Sequence, residues 1–520
     1  MELTIAEYHD ALRAGCTTCA RTVSDYLSRI ALYNPTLGAL ITINPHALDD
    51  AQRKDREGLP HPLLPLHGVP VIVKDTYATA CMPTTSGVRA LRSLTTKVDA
   101  LVVQRLLAAG AILLAKANLH EFSLEGVTLS SLGGQTLNPY DLTRTPGGSS
   151  GGTAAALAAN LALVGCGGDT VNSMRSPASA CSLAGLRPSK GRVEKTGIMP
   201  VTWTQDVAGP MARTVRDVRI LFDVMKNPSE VPSSLPGPEP VSVSIPLPLK
   251  PSVADTNTNP IHKIGILIDY FPDESTPDGP VILQTITQAL HLVASKTSNR
   301  IQFLPLPHQP TWDVARLRAE ADTQAFEFRS AMDDFLQSSI VEYTPHRTLE
   351  SVTASGEFCA EALTPAFWQT QQGQKESENE NENEEEEEGN IYTPTSPQYR
   401  KRLSTIASLK DSVSACFDNL GLTAIVYPHQ RQLVARVGET VQPGRNGILA
   451  ALVGWPAVCI PAGFSPPDET APLGVPIGIE LMGRFGQDEQ VLELGEVFEG
   501  IVHGRKTPLL EGVGGLCRDG

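Results

Sequence analysis

The chain has 520 residues, 41% hydrophobic and 19% charged, which is enough apolar content for a large buried core and too much for a globally disordered chain. At roughly 150 residues per domain this length allows about three domains, although large α/β enzymes often run longer as one. The net charge of −15 leaves no basic stripe for phosphates and argues against nucleic acid as a partner. Residues 375–388 hold nine Glu against one Lys, so −8 of that charge is local and the remaining −7 is an ordinary balance.

Residues 1–60 read as helices, because Leu3, Ile5, Tyr8 and Leu12, then Val23, Tyr26, Leu27 and Ile30, recur mostly at three and four. After Pro62 the pattern changes to short apolar runs. Val71-Ile72-Val73 is a β-branched strand ending at Lys74, Asp99–Ala108 reads as a helix, and Ala111–Ala115 as a second buried strand. Residues 140–153 are turn-rich and precede an Ala-rich helix, Thr153–Leu163. A glycine cluster, Gly165, Gly167 and Gly168, comes before Asp169. Thr214 and Asp217 have the spacing of a capping box and open a helix, Val215–Met225. Residues 227–260 are dense in Pro and Ser and read as a surface loop or linker. In residues 371–390 Glu alternates with Asn before a run of five Glu, a composition expected of a disordered acidic insertion. A helix, Arg400–Leu420, strands at Thr423–Tyr427, Ala457–Ile460 and Val475–Met482, and a closing helix, Val491–Ile501, complete the pattern.

Alternating helices and short apolar strands suggest an α/β sheet covered on both faces; the expected fold is one large domain with a mixed central β-sheet covered by helices. Nine scattered cysteines and a polar start after Met1 suggest reduced thiols and a cytoplasmic protein. The Cys16-x-x-Cys19 pair lacks a second ligand pair, so no metal site is expected. The longest small-apolar run, Ala154–Gly168, is broken by Asn160 and falls short of the ~20 residues of a membrane span.

Three residues stand out chemically. A buried Lys74 would lose its charge to desolvation and become a neutral base, although a Lys at a strand end is ordinarily a surface residue. Ser149 sits among paired glycines in Pro146–Gly152; Gly147-x-Ser149-x-Gly151 formally matches a nucleophile elbow, but no apolar strand runs into it. Ser173 is bracketed by Asp169 and Arg175, which can pair and fix a loop whose N–H groups face an oxyanion. Taken singly, each also reads as an ordinary capping or loop residue.

Together they resemble the amidase signature family. His67-Gly68-Val69-Pro70 through Lys74-Asp75 resembles its lysine strand. Pro146–Gly152, with the 24-residue step from Ser149 to Ser173, resembles its serine- and glycine-rich signature. Gly185-Leu186-Arg187-Pro188, Asp206 with Gly209-Pro210, Gly454-Trp455-Pro456-Ala457 and Pro461-Ala462-Gly463 follow in the family's order. The resemblance covers residues 1–226 and 398–505, with a core at 60–226 and 398–505, and fades across 227–397. It implies an amidase in which Ser173 attacks the amide carbonyl. Ser149, after a cis peptide bond from Gly148, would relay the proton to neutral Lys74. The N–H groups of Thr170, Val171, Asn172 and Ser173 would bind the oxyanion. It implies a small-molecule carboxamide as substrate, no cofactor and no metal, and as partners neither nucleic acid nor membrane, with a homodimer left open. His67 and His120 are expected to be structural. The alternatives are the glutaminase subunit of a tRNA-dependent amidotransferase and an inert binding protein on the same fold.

Two departures stand beside these motifs. The family usually carries two glycines before its nucleophile, where this chain has Val171 and Asn172. β-Branched Val resists left-handed dihedrals, so the loop is expected either to keep ordinary dihedrals or to shift, with both side chains near the acyl site. Thr204-Gln205 also replaces the usual Ser-Leu before Asp206.

Overall fold

The computed structural model describes residues 2–228, 262–298, 300–362 and 392–510. The acidic stretch 371–390 lies outside the described residues, as does 227–260 after its first two. One sheet of eleven strands forms the centre. Its strands are β1 (Leu40–Ile43), β2 (Pro70–Lys74), β3 (Ile112–Ala117), β4 (Val164–Asp169), β5 (Ala184–Arg187), β6 (Val207–Ala212), β7 (His262–Ile266), β8 (Ile301–Pro305), β9 (Ala424–Pro428), β10 (Ala457–Phe464) and β11 (Pro476–Gly483). Their spatial order is β1-β3-β2-β4-β6-β5-β10-β11-β9-β7-β8. Two blocks of parallel pairs (β2 with β3 and β4, β7 with β8 and β9) are separated by an antiparallel run from β4 to β9, so the sheet is mixed, as expected.

β2 is fully buried along its length, which accounts for its unbroken β-branched run: a parallel strand covered on both faces has no polar side. β3 and β4 flank it in parallel register, with Lys74 opposite Ala117 and Val73 opposite Cys166. The carboxyl ends of β2 and β4 therefore lie side by side. Lys74 ends one, and Asp169, four residues before Ser173, ends the other. Crevices beyond the carboxyl ends of parallel strands are where open α/β sheets place ligands.

The structure corrects several elements. Residues 1–60 are not all helical: after the helix Cys19–Leu37, Leu40–Ile43 forms edge strand β1, antiparallel to β3. The glycine cluster of 165–168 lies inside strand β4. Its glycines are there for close approach, since a Cβ on Gly165 or Gly167 would collide with Thr153 or Ser150 of the helix packed on the strand. That helix runs Gly151–Ala158 and stops before Leu163, as Asn160 turns to φ 56°. At Thr214 only half of the capping box forms: Thr214 accepts from the Asp217 N–H, while the Asp217 carboxylate accepts from Ile5 N at 3.1 Å. The remaining helices and strands begin and end within a few residues of the predicted bounds. Among the described residues no helix is long and apolar enough to cross a membrane.

Candidate active site

Lys74 and Ser149 meet in the interior, 1% and 0% exposed, with Lys74 Nζ donating to Ser149 Oγ at 2.8 Å. Burial pushes the Lys74 ammonium down to about 7, against the weaker pull of the Asp206 and Asp169 carboxylates in the other direction. A second buried lysine, Lys116 on β3, differs in its surroundings. It forms an ion pair with Asp75 at 3.0 Å and donates to the Tyr77 carbonyl at 2.7 Å. Lys74 has no such carboxylate partner; its one hydrogen bond among the described residues goes to a hydroxyl.

The Gly148–Ser149 peptide is cis. Backbone contacts hold this turn: the Ser149 carbonyl accepts from His120 N at 3.0 Å, and the Gly147 carbonyl from Thr128 Oγ1 at 2.7 Å. Ser150 N donates to the Ser173 carbonyl at 3.2 Å, which brings the second serine's backbone onto the same turn. No hydrogen bond joins the Ser149 and Ser173 side chains, and Ser173 Oγ has no partner among the described residues. His120 is buried, with its ring nitrogen on the Ala362 carbonyl, and burial lowers it to about 4. It is a neutral structural residue, and its backbone N–H is what serves the turn.

Four consecutive N–H groups, those of Thr170, Val171, Asn172 and Ser173, have no acceptor among the described residues although the loop is buried. Buried donors of this kind ordinarily find a partner, and donors converging on one loop suit a developing oxyanion. Val171 and Asn172 keep negative φ, so the loop does without the family's glycines. Their side chains are engaged elsewhere. Val171 belongs to an apolar cluster with Leu267, Tyr270, Trp312 and Ile448, and Asn172 Oδ1 accepts from Gly447 N at 2.9 Å.

The loop rests on a buried charge box. Asp169 receives Arg175 Nε at 3.0 Å and Arg187 Nη1 at 2.9 Å; Arg175 also pairs with Glu480 of β11. Burial alone would raise the Asp169 carboxyl, but the two guanidiniums hold it well below the ordinary carboxylate range. Glu480 accepts further from Tyr427 and His429, each at 2.7 Å. Two carboxylates and two guanidiniums cancel, which removes most of the cost of burying each alone. Arg175 Nη2 also reaches the Val171 carbonyl at 2.6 Å and so fixes the N–H run directly.

The sequence paired Asp169 with Arg175 but assigned no role to Asp206, Arg187 or Glu480. Asp206, just before β6, accepts from Thr170 Oγ1 at 2.7 Å and from the Val201 and Thr202 N–H groups. The local sequence signal was a carboxylate standing immediately before the buried run Val207–Ala212. Arg187 and Glu480 carried none, since their partners are distant in the chain.

A cavity of about 430 Å³ opens beside this arrangement. It is lined by Lys74, Gly168, Asp169 and Thr170, by Met199, Val201 and Trp203, and by Phe335 and Ile340 from the segment where the sequence resemblance fades. Ser149 and Ser173 do not line it.

Known proteins share both sequence and architecture with this one. The family profile described as Amidase matches residues 21–492. The chain is similar to a glutamyl-tRNA(Gln) amidotransferase subunit of Thermus thermophilus, at 30% identity over 91% of this chain and 92% of the relative. It is 28% identical to the corresponding amidotransferase subunit of Chloroflexus aggregans, over 98% of both chains. Among solved structures, the peptide amidase of Stenotrophomonas maltophilia superposes with a TM-score of 0.74 at 26% identity, covering 98% of each chain. With its lysine and serines gathered at the carboxyl ends of β2 and β4, this chain belongs to the amidase family.

Proposed function

We propose that this protein hydrolyses small-molecule carboxamides through an acyl-enzyme on Ser173. The observation that carries the proposal is the buried Lys74–Ser149 hydrogen bond with an ammonium lowered to about 7, since a lysine must be neutral to act as a base. Lys74 takes the Ser149 proton as Ser149 takes that of Ser173, and Ser173 Oγ bonds to the amide carbon. The carbonyl oxygen becomes an oxyanion on the N–H groups of 170–173. The tetrahedral intermediate collapses as the Lys74 proton passes back through Ser149 to the leaving amine. Water, deprotonated by the same relay, then releases the acid. All of these groups belong to the protein, so the proposal includes neither metal nor organic cofactor.

A second reading, a glutaminase working within a tRNA-dependent amidotransferase, draws support from the names of the curated relatives. The peptide amidase likeness favours the first. The purified chain is to be assayed alone against a carboxamide panel that includes glutamine, beside Ser173→Ala. Turnover of several carboxamides, lost by on the order of 10³-fold or more in Ser173→Ala, is the expected result. Undiminished turnover in that variant refutes the mechanism. Glutamine use that appears only on co-purification with a second protein chain selects the alternative. Failure of a fluorophosphonate probe to label Ser173 points to an inert binding protein.

A further inference from the structure

Thr204 and Gln205, which replace the family's usual Ser-Leu, both grip the helix Gln324–Gln337. Glu327 of that helix is fully buried. Its carboxylate accepts from Trp203 N at 2.5 Å, Thr204 N at 2.9 Å, the Thr204 hydroxyl and the Tyr399 hydroxyl at 3.1 Å. Gln205 Oε1 accepts from Thr323 N and Thr323 Oγ1, both at 2.7 Å. The contacts therefore run both ways between one loop and the start of one helix.

Each partner continues into the cavity wall. On the loop, Val201, Trp203 and Asp206 line it; on the helix, Ala331, Asp334 and Phe335 do. Glu327, Ala331, Asp334 and Phe335 recur at helical spacing, so the latch and the wall share one face. The same loop reaches the oxyanion run through Asp206 and Thr170. A buried carboxylate that takes two N–H and two O–H donors fixes those groups firmly, because removing it leaves all four without this acceptor.

We propose that Glu327 and Thr323, acting on Trp203–Gln205, are positioning residues that set the width of the acyl-binding cavity and hence the size of amide accepted. This rests on the proposed hydrolysis at Ser173 and takes the cavity lined by Lys74 and Thr170 as the place of the acyl group. Loosening the latch lets the helix face and the Trp203 loop separate, which weakens the grip on large acyl groups. The Lys74–Ser149 bond lies apart from the latch, and Asp206 stays held by the Val201 and Thr202 N–H groups, so small amides react as before.

The test is kinetic, on the full chain and on Glu327→Ala, Glu327→Gln and Tyr399→Phe, with primary amides graded from acetamide through benzamide to a long-chain amide. Glu327→Ala should raise KM for the bulky amides about tenfold, with kcat for acetamide within about twofold of the parent. Glu327→Gln should recover most of the loss, because an amide oxygen still accepts N–H bonds and the two hydroxyls can turn to accept instead. Tyr399→Phe, which removes one bond of four, should shift KM in the same direction but less. An equal fall in kcat for every amide with unchanged KM, or no change in any variant, overturns the proposal. If Glu327→Ala does not fold, the size dependence of KM in the other two variants decides. A parent chain that neither turns over any amide nor takes a fluorophosphonate on Ser173 fails on the hydrolase reading instead, and the latch falls with it.

Discussion

Changing pH tests the lysine directly. With Lys74 titrating at about 7, about a tenth of the molecules carry the neutral amine at pH 6, about half at pH 7 and about nine tenths at pH 8. kcat/KM should therefore rise about tenfold between pH 6 and 8 and level off above. A lysine at its ordinary value would give about a hundredfold rise over the same interval and keep climbing. The same shift has a signature in stability. Moving the group from 10.5 to about 7 corresponds to on the order of 5 kcal/mol in favour of the neutral form in the folded chain. Between these two values the unfolded chain binds the extra proton, so this group's contribution raises stability with pH across that window. Lys74→Met lacks the titration: it should melt above the parent near pH 7, and the gap should close toward pH 10. Initial rates from pH 5.5 to 9.5 and thermal melts of both chains measure the two effects. A slope of one per pH unit persisting to pH 9, or a constant gap in melting temperature, refutes the buried-base argument.

The charge box and the C-terminal helix give two further predictions. Arg187→Met leaves Asp169 with one guanidinium in a buried site; urea midpoints should fall by the equivalent of about 3–5 kcal/mol, and a loss under about 1 kcal/mol would show that the box is not needed for stability. Glu499 is raised to about 7, first by burial and then by the Asp217 and Glu496 charges, with Val215 N pulling the other way. An acid raised on folding supports the folded state below its unfolded value of 4.5 and loses that support as pH rises to about 7. The parent should therefore lose more stability than Glu499→Gln between pH 5 and 8, and parallel melting curves would exclude this.

The candidate residues were more legible than the groups that hold them. Lys74 and the two serines read as ordinary singly and could be found only together, through the lysine strand, the glycines and the 24-residue step that resemble the family's. β4 was hidden by its own glycines: it packs so closely on Ser150 and Thr153 that side chains, the usual sign of a strand, are excluded. β1 escaped because four residues at a sheet edge, following a long helix, leave little periodicity to detect. Of the box, only the Asp169–Arg175 pair could be read. Its ion pair between Arg175 and Glu480 spans 305 positions, and no local pattern encodes a partner at that distance. The Thr204-Gln205 departure was visible as an oddity, but its meaning lay in a helix more than a hundred residues away.

That long pairing has a consequence for how the protein comes into being. Lys74, Ser149 and Ser173 are all made early, whereas Glu480, which completes the counter-charge of Arg175, is made 305 positions after it. At synthesis rates of about 5–20 residues per second the interval is on the order of 15–60 s. Throughout it Arg175, which fixes the loop that carries Ser173, lacks one of its two carboxylate partners. On the proposed mechanism, the loop is therefore complete only once the last strands of the sheet have been made.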